Sequence, residues 1–190
     1  MDKLSFYTRK FIQEAGDFLF LSGDRWLTDT RCAVALQPGM EVDADRLEDS
    51  LFFRGKGLDD LGKYLRDEVR DLSPLTAWSK PIAFYYPDGP NWLCRKCRSE
   101  DSREIACNYL YLRVIKDIWP AGQLYLAKYW LGRPELAALV AMTAQERLVG
   151  VVMARTLRNE SPEFVRYWNS MPVFPIERTN GKIGRLSAAA

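Results

Sequence analysis

Trp92-Leu93-Cys94-Arg95-Lys96-Cys97-Arg98, followed nine residues later by Cys107, is the stretch on which the reading of this chain turns. Two thiols two residues apart, with basic residues between and after them, have the spacing of a zinc knuckle. A tight turn at such a pair aims both sulfurs at one ion, and thiolates are soft ligands that suit Zn²⁺. Cys107 supplies a third ligand on this reading. Cys32, a carboxylate such as Glu100 or Asp101, or nothing completes the set, and Cys32 is the favoured choice. The alternative is a set of ordinary reduced cysteines.

Outward from that stretch, composition narrows the classes. The chain has 190 residues, 47% of them apolar and 13% aromatic, which suits one domain with a real core. The formal charge is only +2, so the molecule is not a polybasic nucleic-acid glue. The charge is unevenly spread. Residues 41–71 hold ten acidic and six basic side chains, and residues 147–190 hold seven basic and three acidic. A basic back is free to face phosphate or an acidic partner. The N-terminus lacks a signal-peptide apolar region and no run is long enough to span a membrane. Cysteines without a signal peptide point to a reducing compartment, so a cytoplasmic location is expected.

The sequence contains no histidine. That excludes Ser-His-Asp and Cys-His nucleophiles and histidine-based metallohydrolases. No glutamate is followed two residues later by lysine, so the common carboxylate-lysine nuclease pattern is missing as well. The expectation is a protein that is not an enzyme and takes no small-molecule substrate.

Periodicity predicts an amphipathic helix over 4–21 and a buried strand over 32–36. Asp43 caps a short helix to Phe53. Arg54-Gly55-Lys56-Gly57 is read as a plain loop, since it fits no phosphate-binding motif. A charged helix is expected over 58–71 and a strand over 81–86. Residues 102–118 lean towards a helix opened by an Asp101–Glu104 capping box, although 109–115 have strand composition. Helices are predicted at 135–141 and, behind a Thr143–Glu146 capping box, over 143–159, with Arg147, Arg155 and Arg158 outside the apolar face. Ser161-Pro162-Glu163 opens a third. The resulting fold class is α+β and predominantly helical. It has a mixed α/β region over 1–133 with the cysteine knuckle at 92–107, a helical bundle over 134–171, and an extended or disordered basic tail over 172–190.

Arg95, Lys96, Arg98 and Arg103 on or beside the knuckle, with Arg155 and Arg158 on the C-terminal helix, form the candidate nucleic-acid contacts. Trp92, Tyr85 and Tyr86 offer faces for stacking. Size, central cysteines Cys94, Cys97 and Cys107, and a helical last third resemble in layout the small Cas8-like subunits of type IV CRISPR effector complexes. The resemblance implies a non-catalytic subunit at one end of a guide-RNA ribonucleoprotein. Such a subunit reads a short motif in target DNA and packs its helices on neighbouring protein subunits. Two other classes compete. One is a small protein-binding adaptor or inhibitor of phage or plasmid type, and the other is a dithiol redox protein using Cys94 and Cys97.

Overall fold

The computed structural model describes residues 6–15, 20–21, 25–40, 61–84, 92–129, 137–154, 161–176, 178–179 and 182–183. Antiparallel strands dominate these residues, which corrects the predominantly helical expectation. In chain order the elements are α1 (Phe6–Ala15), β1 (Phe20–Leu21), β2 (Trp26–Thr28), β3 (Cys32–Ala35) and α2 (Leu61–Glu68). Then come β4 (Arg70–Trp78), β5 (Ile82–Phe84), β6 (Trp92–Ser99), β7 (Glu104–Asn108) and α3 (Tyr109–Ile118). The last are β8 (Gln123–Tyr129), β9 (Ala138–Met142), β10 (Leu148–Met153), α4 (Pro162–Ser170), β11 (Phe174–Pro175), β12 (Arg178–Thr179) and β13 (Lys182–Ile183).

One large sheet runs β1-β2-β3-β10-β9-β8-β4-β6-β5, with β7 also on β6 and β11 also on β4; β12 and β13 pair separately. β4 joins the two halves of that sheet. Its residues Arg70 to Pro74 pair with β8, the register shifts between Leu75 and Ala77, and Ala77 and Trp78 pair with β6. Such an irregularity sharpens the local twist. The sheet curls enough to bring β7 against β10, and α3 contacts β3, β6, β7 and β10.

The C-terminal third shows why the helical reading failed. The runs Ala138-Leu139-Val140-Ala141-Met142 and Leu148-Val149-Gly150-Val151-Val152-Met153 are apolar almost throughout, and nearly every residue in them is buried. A short unbroken apolar run suits a strand covered on both faces as well as it suits a helix. The Thr143–Glu146 signature serves a hairpin instead of a helix start. Thr143 N–H bonds Arg147 O at 2.9 Å, the Thr143 hydroxyl accepts from Arg147 N–H at 3.2 Å, and Glu146 takes φ 60°. Among the described residues of the expected bundle over 134–171 there is therefore a β-hairpin and then one helix. That helix, α4, starts as predicted: the Ser161 hydroxyl accepts from Phe164 N–H, and Pro162 sits in its first turn.

The ambiguous stretch 102–118 divides. β7 ends at Asn108, whose side chain accepts from Leu110 N–H at 2.8 Å and caps α3. The Asp101–Glu104 signature again belongs to a turn, with Ser102 at φ 64° and Ser99 Oγ accepting from Arg103 N–H. The helix expected over 58–71 is present as α2, and the chain is already strand at Arg70. The strand expected at 32–36 is present as β3. The expectations for 43–57 lie outside the described residues. Among the described residues no helix is long and apolar enough to cross a membrane.

The buried stripe of α3, comprising Tyr111, Leu112, Val114, Ile115 and Ile118, faces the curled sheet. Contact is closest at Gly150, where an added Cβ would stand 2.8 Å from Ile115 Cδ1 and 3.0 Å from Cγ1. Gly150→Val overpacks this spot and is expected to cost about 2 kcal/mol. The loss is read as a fall in melting temperature, part of which Ile115→Ala in the same chain recovers.

Candidate anion-binding site

The cysteine stretch is the extended strand β6, and no turn separates its thiols. Successive side chains of a strand point to opposite faces, so residues three apart diverge. Cys94 packs with Ala106, Trp168 and Met171, while Cys97, Cys107 and Cys32 belong to the main core. The knuckle at 92–107 is thereby corrected to a β-hairpin of β6 and β7, in which Cys107 lies opposite Arg95 and Cys97 opposite Ile105. All four thiols are buried. Burial, with the neighbouring Cys97 second, pushes the Cys94 thiol up to about 12. A hydrogen bond with Cys97 and then burial raise Cys107, and burial followed by Asp29 raises Cys32. Raised values at Cys32, Cys94 and Cys107 keep these thiols from serving as ready nucleophiles. Among the described residues no group of three cysteine, aspartate or glutamate side chains is arranged to hold a metal.

Two of the three basic residues of the stretch, Arg95 and Lys96, are buried, and Arg98 is half-exposed. Lys96 is 1% exposed. Its Nζ donates to Trp168 O at 3.0 Å and pairs with Glu104 Oε2 at 2.8 Å, fastening α4 to the sheet. Arg98 pairs with Glu104 Oε1, and Arg103 with Asp101 and Asp71. These three charges are neutralised within the protein. Arg155 and Arg158 lie outside the described residues.

Arg95 has a different setting. It projects from the face of β6 opposite Lys96 and is 6% exposed. Its guanidinium donates to Ser79 O at 3.1 Å and stands 4.8 Å from the Trp78 ring centroid and 5.0 Å from that of Tyr109. Tyr109, Arg113 and Lys116 follow one another along α3 at spacings of four and three, which places them on one helical stripe. Lys116 Nζ lies 4.6 Å from the Trp78 centroid, so this one indole contacts two cations. Arg113 lies 4.3 Å from the ring centroid of Tyr7 on α1.

Arg95, Arg113 and Lys116 thus converge from two elements against aromatic faces, and each has an electrostatic cost. Burial lowers the Lys116 amine to about 8, and repulsion by Arg113 and Arg95 adds to this; Asp117 acts against it. Burial and Arg113 also lower Arg95, with Tyr109 and Cys97 opposing. Arg113 Nε is shut off from solvent and has no hydrogen-bond acceptor among the described residues. Among the described residues none of the three forms an ion pair with a carboxylate. Aromatic quadrupoles soften such repulsion by about 0.5–2 kcal/mol per contact without supplying an opposite charge. The cluster is chemically suited to an anion.

Of the described residues expected to contact nucleic acid, only Arg95 enters this cluster. Arg113, Lys116, Trp78, Tyr109 and Tyr7 escaped the sequence reading. The helical spacing of Tyr109, Arg113 and Lys116 was visible, but the approach of β6, β4 and α1 was not. In comparison with known proteins, the chain matches no protein-family model, no curated protein and no solved structure.

Proposed function

We propose that the protein is a non-catalytic, cytoplasmic nucleic-acid-binding subunit, and that the nucleic-acid phosphate is held at Arg95, Arg113 and Lys116. The supporting observation is the convergence of three cations on aromatic side chains without a carboxylate partner among the described residues. Phosphate neutralises such a cluster, and nucleic acid is the polyanion for which a combination of cations and aromatic rings is most often built. Binding to a fluorescent single-stranded oligonucleotide, titrated at several salt concentrations, tests the reading. Wild-type affinity should fall with salt, and Arg113→Ala should weaken binding and flatten the slope by about one unit. Arg98→Ala and Arg103→Ala should bind like wild type, since both side chains serve internal ion pairs. If no oligonucleotide binds, or Arg113→Ala binds unchanged, the reading fails and the adaptor reading takes its place.

A further inference from the structure

We infer that the Arg95–Arg113–Lys116 cluster recognises a terminal phosphate, a phosphomonoester at the end of a nucleic-acid strand, in preference to phosphodiesters along its backbone. The inference rests on the nucleic-acid reading above and specifies which part of the strand is held.

A protein that tracks a backbone lays a row of available cations along the strand. Of the other described candidates, Lys96 and Arg98 are held by Glu104, and Arg103 by Asp101 and Asp71. Among the described candidates, positive charge without a carboxylate partner is concentrated at one point, Arg95, Arg113 and Lys116. A backbone phosphodiester carries one negative charge, whereas a phosphomonoester carries about −1.5 to −2 at neutral pH and presents three terminal oxygens. Three cations, one of them nearly buried and two partly exposed, match the more highly charged group.

Arg113 and Lys116, both partly exposed on α3, are the members open to a ligand. Arg95, held from behind by Ser79 O and by the rings of Trp78 and Tyr109, contributes its charge from a fixed position.

The experiment compares oligonucleotides of one sequence bearing a 5′-phosphate, a 3′-phosphate or no terminal phosphate, alongside the matching mononucleotide and inorganic phosphate. The expected result is at least tenfold tighter binding of one end-phosphorylated strand. Arg113→Ala and Lys116→Met should abolish that preference, and Arg98→Ala should retain it. Melting temperatures of the variants establish that each is folded. If all three strands bind alike and Arg113→Ala weakens them equally, the terminal-phosphate inference falls and the nucleic-acid reading stands. If the mononucleotide or inorganic phosphate binds as tightly as the end-phosphorylated strand, the phosphomonoester chemistry holds and the nucleic-acid source is overturned. If nothing binds, both fall.

Discussion

Glu104→Ala is expected to lower the stability of this protein by about 3 kcal/mol, the cost of leaving a buried charge without its partner. Lys96 is almost wholly buried, and Glu104 is its carboxylate partner at 2.8 Å. The same carboxylate holds Arg98. Its loss leaves the ammonium with Trp168 O and a ring contact 5.6 Å away. Lys96→Met together with Glu104→Ala removes the charge as well and should recover most of the loss, since the methionine chain fills the same space. The pH dependence follows from the same contacts. Burial alone would raise the Glu104 carboxyl, but hydrogen bonds from Lys96 and Arg98, and their charges, outweigh it and hold the group below its ordinary range. A folded-state value below the unfolded one gives stability that is fully present above the ordinary glutamate value. That stability is lost as pH falls through the folded one. Denaturant unfolding of wild type and both variants between neutral and acidic pH measures this. A single variant as stable as wild type would remove Lys96–Glu104 from the account of how α4 is held.

Lys116→Met is expected to act in the opposite direction and stabilise the protein without ligand. The variant keeps an apolar stem against Trp78 and removes one of three repelling charges. Partial exposure screens the effect, so about 1 kcal/mol is expected, or about 2–4 °C in melting temperature. The advantage is present in full below about pH 8. It shrinks between pH 8 and 10.5, where the folded wild type has already lost the proton that the unfolded chain still binds. With a phosphate-bearing ligand in excess the order reverses, because only the wild type gains from binding. A variant less stable than wild type at neutral pH would show that Lys116 serves packing.

Much of the local structure was legible in the residues. Ser161-Pro162 announced α4, the apolar run at 32–36 announced β3, and the stripe through Leu112 and Ile115 belongs to a helix. Two errors share one cause: a local signature compatible with two structures. Thr143 to Glu146 and Asp101 to Glu104 have the residue types of a helix cap, yet each closes a hairpin, whose strands are completed by pairing with β3, β8 and β4 from elsewhere in the chain. Cys94 and Cys97 have the spacing of a metal turn, but Arg95 and Lys96 between them are buried on opposite faces of a strand. An alternating reading of 92–99 would have separated the two thiols. The cation cluster was half legible. Tyr109, Arg113 and Lys116 lie on one stripe by spacing alone, whereas Trp78 and Arg95 reach it only because β4 and β6 pair.

The most direct test of the anion site is the titration of Lys116 itself. NMR of the amine, assigned by its loss in Lys116→Met, should give a midpoint of about 8 in the free protein. Saturation with an end-phosphorylated oligonucleotide should raise that midpoint by at least one unit, because a nearby anion favours the charged amine. A midpoint at the ordinary lysine value in the free protein, or one that the bound strand leaves unmoved, would contradict the assignment of Arg95, Arg113 and Lys116 as the seat of phosphate.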